Sequence, residues 1–291
     1  MNQQNILITG SNGQLGHCLR DLATEHQEKY RFFYTDVEEL DITDAAAIDK
    51  YVVDNQIDVI INAAAYTAVD KAEDDVEMAY RLNRDAVRNL AEAACSHDCL
   101  LVHISTDYVF SGESCHPYEV DDTPAPKSVY GASKLAGEQE IAESVCRAIV
   151  IRTSWLYSEY GNNFVKTMLR LGTERESLNV VCDQIGAPTY AGDLARVIFR
   201  LIEVSPIEKK VDFYHFANEG VCSWYDFAKA IMEFGGKKCI VNPISTSEYP
   251  AKARRPAFSV FNLRKTKKAT MKSIPYWRDS LILIINKLCE K

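Results

Sequence analysis

The stretch Thr9-Gly10-Ser11-Asn12-Gly13-Gln14-Leu15-Gly16 leaves a short apolar run, Ile6 to Ile8, and opens a segment of helical composition. No other feature restricts the fold of this chain so tightly. Between a strand and a helix, three glycines at this spacing permit a tight turn at Gly10. They also bring the backbone up to a pyrophosphate at Gly13 and let helix pack closely on strand at Gly16. Free amides at the helix start then face the anion. The turn therefore predicts a bound dinucleotide, and with it a sheet whose strands run parallel.

Further short apolar runs agree with that expectation: Phe32 to Tyr34, Val59 to Ile61, Leu100 to Ile104 and Ala148 to Ile151, separated by helix-like segments. Strands buried on both faces look like this, and alternation of strand with helix calls for right-handed crossovers. The predicted fold class is α/β, a doubly wound parallel sheet of Rossmann type with a smaller C-terminal substrate-binding lobe. Residues 1–155 form the dinucleotide-binding domain, completed by parts of 185–205, and residues 156–291 are mainly the substrate lobe. Helices are expected over Asn163 to Leu171, Gly192 to Glu203 and Trp224 to Phe234, and the apolar end around Leu281 to Leu288 reads as a docking helix. The lysine-rich stretch Arg264 to Lys272 reads as a solvated helix face, with a basic ligand patch as the alternative.

Bulk properties narrow the partners. A formal net charge of -8 argues against a nucleic-acid binder that works by neutralising phosphates, so any nucleotide should be a small molecule. No apolar stretch approaches the roughly 20 residues needed to span a bilayer, and the amino terminus carries no basic flank with an apolar signal core. The nine cysteines are odd in number and lack CxxC spacing, which suits free thiols in a reducing cytoplasm.

The chemistry is predicted at the ends of the strands. Asp36 follows the second strand, where a carboxylate accepts hydrogen bonds from the adenosine ribose and repels a 2'-phosphate. It tilts the choice between NADPH and NADH towards NADH. Asp41 and Ile42 could flank the adenine, and Asn62-Ala63-Ala64-Ala65 ends the third strand in small side chains that leave room for the dinucleotide. Tyr130 and Lys134 stand one helical turn apart on a segment, Val129 to Ala142, of helical composition. An ammonium beside a phenol stabilises the phenolate and eases proton donation. Ser105-Thr106-Asp107 ends the fourth strand, where Thr106 can hydrogen-bond a substrate carbonyl and steady its oxygen as charge grows. Thr106, Tyr130 and Lys134 are the candidate catalytic residues, with Lys134 also expected on the nicotinamide ribose.

With these residues assembled, the chain resembles the extended short-chain dehydrogenases, and most closely their branch acting on dTDP-linked 4-keto-6-deoxysugars. The motifs that carry the likeness are TGSNGQLG at Thr9, NAAAYTAVDKAE at Asn62, STDYVFSG at Ser105, YGASKLAGE at Tyr130, RTSWLY at Arg152, GNNFVKTMLRL at Gly161 and DQIGAPT at Asp183. The resemblance implies reduction of dTDP-6-deoxy-L-lyxo-4-hexulose to dTDP-L-rhamnose for surface polysaccharide. It also implies dinucleotide contacts at Gln14, Leu15, Asp36, Asp41, Ile42, Ala63, Ala64, Ala65 and Ile104. Sugar contacts are implied at Thr106, Asp107 and Trp155, and contacts near the nucleotide end at Asn163 and Arg255.

Some members of that family are dimers bridged by Mg2+ through glutamates. The corresponding positions here hold Cys18 beside His17 and Gly192 beside Asp193, so no metal ligand is assigned and a monomer or weak homodimer is expected. Elimination chemistry would need an acid pair after the threonine, whereas Tyr108 follows Asp107. Three rivals stay open: a reductase for another nucleotide-linked keto-deoxysugar, an epimerase, and a non-catalytic dinucleotide-binding regulatory subunit.

Overall fold

The computed structural model describes residues 3–144, 146–204 and 211–289. All five strands read from the sequence are present: β1 (Gln4–Thr9), β2 (Tyr30–Thr35), β3 (Val59–Asn62), β4 (Leu100–Thr106) and β5 (Arg147–Thr153). They pair in parallel in the order β5-β4-β3-β1-β2. A further strand, Val211–Phe216, adds to the free edge of β5. It was not expected from the sequence, because Asp212 and His215 interrupt its apolar run. The strand order reverses between β1 and β3, and in such sheets the crevice beyond the strand ends at that point receives the ligand.

Alternation along each strand fills both faces of the sheet. Ile6, Ile8, Val59, Ile61, Val102, Ile149 and Ile151 belong to the core beneath α1 (Gln14–Ala23) and the helix Ala191–Val204. Leu7, Ile60, Leu101, Ala148 and Val150 belong to the opposite core, with residues of the helices Ala45–Asp54, Ala86–Ser96 and Val129–Glu143. Each fully buried aliphatic side chain contributes about 1.5–3 kcal/mol, which is why these strands read as unbroken apolar runs.

Beyond β5 the chain builds a second core from Tyr157, Val165, Leu178, Phe227, Ile231, Trp277, Leu281 and Ile284. Three helices carry it: Phe164–Glu174, Trp224–Phe234 and Trp277–Cys289, the last being the apolar C-terminal stretch. A short parallel ladder of Ser177–Val181 with Ile240–Ile244 flanks them. Residues 205–210, inside the expected second lobe, lie outside the described residues. The lysine-rich stretch forms the helix Arg264–Thr270, where Lys265 sits 3.5 Å from Asp212 and Lys267 pairs with Glu219. All nine cysteines are free, and among the described residues no helix is long and apolar enough to cross a membrane.

Candidate active site

The glycine turn is closed by the backbone. Gly10 has φ +64°, and a Cβ there would lie 2.6 Å from the Ala64 amide nitrogen, so neither the dihedral nor the space admits a side chain. A Cβ on Gly16 would fall 2.5 Å from Ser11 Cα, which accounts for helix α1 starting so close to β1. The Gly13 amide is turned to the Gly10 carbonyl at 3.1 Å. The bare backbone and the start of a helix suit a pyrophosphate.

That turn opens onto a cleft of about 940 Å³ at the switch point. It is lined by Gly10, Gly13, Gln14, Leu15, Asp36, Asp41, Ile42, Ala63, Ala64, Ala65, Ile104, Thr106, Asp107, Tyr130, Lys134, Trp155 and Asn163, so nearly every residue singled out from the sequence shares one cavity. Two do not line it. Gly16 acts through packing, and Arg255 lines an adjoining cavity of about 760 Å³ together with Phe164, Thr167, Arg175 and Gln184. There its guanidinium donates to Asp70 at 2.9 Å and faces the Tyr249 ring. Trp224, which the sequence reading placed only on a helix, lines both cavities and stacks on Trp155 with ring centres 3.7 Å apart. Tyr108, also unassigned from sequence, meets Tyr130 edge-on at 5.4 Å.

Beyond β2, the Asp36 carboxylate accepts from the Asn12 amide at 3.1 Å and from its neighbour Val37 at 2.9 Å, which fixes its orientation. Across the cleft, Gln14 accepts from Asn163 at 2.9 Å and from Ser158 at 3.1 Å. Asn163 also caps the helix Phe164–Glu174 through the Lys166 amide.

Around the end of β4, Thr106, Asp107 and Lys134 are buried and Tyr130 is half-buried. Ser128 caps the helix Val129–Glu143 through the Gly131 amide, and a Cβ on Gly131 would lie 2.2 Å from the Tyr108 carbonyl, so this helix rests directly on the segment after β4. Burial pushes the Tyr130 phenol up to about 12, against a smaller opposing effect of the Thr106 hydroxyl. The sequence reading set Lys134 beside the Tyr130 phenol. The Lys134 amine instead lies 2.6 Å from the Ile104 carbonyl and 3.1 Å from His103 Nε2, and burial lowers it to about 8. Thr106 donates to Asp107 at 3.0 Å, and burial raises the Asp107 carboxyl to about 6 in spite of hydrogen bonds from Ser259 and Thr106. A protonated phenol, a hydroxyl and a basic amine therefore converge where a carbonyl could be reduced and its oxygen protonated.

At the positions where the family resemblance implied a metal, the side chains are otherwise engaged. Asp193 is engaged by Asn218 at 2.8 Å, Ser280 at 2.6 Å and Arg196 at 3.2 Å, while His17 stacks on Tyr160. Buried Cys18 offers a thiol pushed up to about 12 by burial. Among the described residues, no group of three or more His, Cys, Asp or Glu is placed to hold a metal ion.

Comparison with known proteins is consistent across sequence and structure. Residues 4–289 match the model of the RmlD substrate binding domain. A dTDP-4-dehydrorhamnose reductase of Aggregatibacter actinomycetemcomitans is 45% identical over 272 residues, covering 91% of this chain and 92% of that protein. The spore coat polysaccharide biosynthesis protein SpsK of Bacillus subtilis is 39% identical, covering 95% of each. The crystal structure of a dTDP-4-dehydrorhamnose reductase from Bacillus anthracis in complex with NADP superposes with a TM-score of 0.93 at 42% identity, covering 98% of this chain and all of that one.

Proposed function

The chain belongs to the family of the RmlD substrate binding domain, and from that premise we propose that it reduces dTDP-6-deoxy-L-lyxo-4-hexulose to dTDP-L-rhamnose with a nicotinamide cofactor. One observation carries the reading. The glycine turn, Thr106, Tyr130 and Lys134 line a single cleft of about 940 Å³, large enough for a dinucleotide with part of a sugar nucleotide.

The reduced nicotinamide, when bound, supplies hydride to the keto carbon. The chain does the rest. Gly10, Gly13 and the start of α1 receive the pyrophosphate, while Ala63, Ala64 and Ala65 leave the sheet edge open for its passage. Thr106 turns its single hydroxyl proton from Asp107 to the sugar oxygen as negative charge develops there, and Tyr130 gives that oxygen its proton. Because burial keeps the phenol protonated, donation becomes favourable only when an alkoxide forms beside it. Asp107 and the Trp155–Trp224 pair border the sugar, and Arg255 in the adjoining cavity faces the diphosphate of the sugar nucleotide.

Asp36, with both oxygens oriented by backbone amides, favours NADH over NADPH at the ribose. A monomer or weak homodimer working in the cytoplasm fits the free thiols and the engaged Asp193.

The test is loss of reduced-cofactor absorbance with dTDP-4-keto-6-deoxysugar generated in situ from dTDP-glucose, set beside GDP- and UDP-linked analogues. Turnover should be fastest with the dTDP sugar. A faster GDP or UDP substrate, or exchange of stereochemistry without net cofactor oxidation, would replace this reading with another reductase or an epimerase.

A further inference from the structure

A row of buried polar groups crosses the sheet behind the reacting end. Thr9, Asn62 and His103 are register partners on β1, β3 and β4, and Lys134 reaches the row from the helix above. Each is almost fully enclosed, at 1%, 1%, 0% and 2% exposure. Groups so enclosed must satisfy one another, and that requirement fixes where the protons are.

The assignment starts from a group that can only donate. The Ala64 amide lies 3.1 Å from Asn62 Oδ1, so that atom is the oxygen, and it also accepts from Thr9 at 2.8 Å. The Asn62 amide nitrogen therefore faces His103 Nδ1 at 3.1 Å, and Nδ1 must accept. A neutral imidazole that accepts at Nδ1 carries its proton on Nε2, and an imidazolium would set a second donor against Asn62. The Nε2–H then points at Lys134 Nζ, 3.1 Å away, while Nζ donates to the Ile104 carbonyl at 2.6 Å. An ammonium has no lone pair to accept with. Only a neutral amine satisfies every contact in the row.

We propose that His103 is a positioning residue that disfavours the ammonium form of Lys134, through a proton order imposed by the backbone amide of Ala64 and relayed by Asn62. The inference rests on the reading of Lys134 as a member of the reacting group. It adds that the charge of Lys134 is not a fixed feature of the cleft: protonation requires the amine to give up the contact with His103, and grows more favourable as Tyr130 turns into a phenolate.

The other groups around Lys134 do not dictate a charge. Glu138, one turn along the same helix, favours the ammonium, yet its carboxylate is held by the buried Arg152 guanidinium at 2.8 and 3.0 Å. Ser133 is bonded to Asn83, a neutral pair. Tyr130 is protonated at rest, and Asp107 at the end of β4 is bonded to Thr106. Burial, with the Lys134 charge beside it, holds His103 well below the ordinary imidazole range, so the ring is neutral as the proton order requires, and burial makes Lys134 a weaker base.

Nitrogen-15 NMR of the full chain with labelled histidine tests the proton order without any variant. On the alkaline side of the Lys134 ionisation, His103 should show a lone pair at Nδ1 and a proton at Nε2. The reverse tautomer or an imidazolium overturns the proposal. Asn62→Asp replaces the relaying donor with an acceptor, so His103 should flip to the Nδ1–H tautomer and Lys134, followed by its carbon-13 ε resonance, should titrate about one unit or more higher. Asn62→Leu, which removes the donor and makes the surroundings more apolar, should also move Lys134 upwards, opposite to plain desolvation. If the lysine titration stays in place in Asn62→Asp, His103 does not govern it. These readouts need no sugar substrate, so their failure is distinct from failure of the proposed reaction.

Discussion

Gln14, in the first turn of α1, accepts a hydrogen bond from Asn163 at 2.9 Å, so the phosphate turn is tied directly to the residue that caps the first helix of the substrate lobe. Asn163 has two tasks and Gln14 one. Asn163→Ala loses the cap, worth about 1 kcal/mol, together with the tie. It should lower the Tm by a few degrees in a thermal melt and raise the cofactor Kd. Gln14→Ala keeps the cap and should leave the Tm nearly unchanged while still weakening cofactor binding. Equal melting losses in the two variants would contradict this division.

Asp36 concerns the choice of cofactor. Its carboxylate is fixed by the Asn12 and Val37 amides and lines the cleft beyond β2. Asp36→Ala removes the charge that repels a 2'-phosphate, so the ratio of kcat/KM for NADH to that for NADPH should fall by about tenfold, a change of about 1.4 kcal/mol. A ratio that does not move removes Asp36 from the ribose.

Asp107 gives a pH dependence of known sign. Burial raises its carboxyl from 3.8 to about 6, so the folded chain holds a proton through a window in which the unfolded chain has released it. Stability from this group is complete below the lower value and is lost as pH rises through the upper one, by on the order of 3 kcal/mol. Asp107→Asn should flatten the fall in urea-unfolding free energy across this window. An unchanged slope would show that Asp107 ionises in the fold as it does in water.

Much of this was legible in the sequence because burial on two faces writes itself as apolar runs. β1 to β5 and the helix Trp224–Phe234 lie where the pattern placed them. The strand Val211–Phe216 escaped because an edge strand tolerates polar residues such as Asp212, and such a run carries no clear period. At the site, Gly10, Thr106, Tyr130 and Lys134 were found through fixed spacings next to strand ends. Trp224 and Tyr108 were not, since they reach the cleft through tertiary packing that no local spacing records. His103 was hidden in the run Leu100–Thr106, where a single imidazole reads as one more core residue. The placement of Lys134 against His103 and Ile104 likewise follows from the helix resting on β4, which the spacing of Tyr130 and Lys134 alone does not contain.

The central claim is that the Tyr130 phenol protonates the reduced sugar oxygen, and Tyr130→Phe tests it most directly. The measurement is kcat for oxidation of the reduced cofactor by the dTDP-linked 4-keto sugar, with cofactor Kd determined on the same preparation. The expected result is a fall in kcat of about 10²- to 10⁴-fold with Kd unchanged. An undiminished kcat would contradict the account.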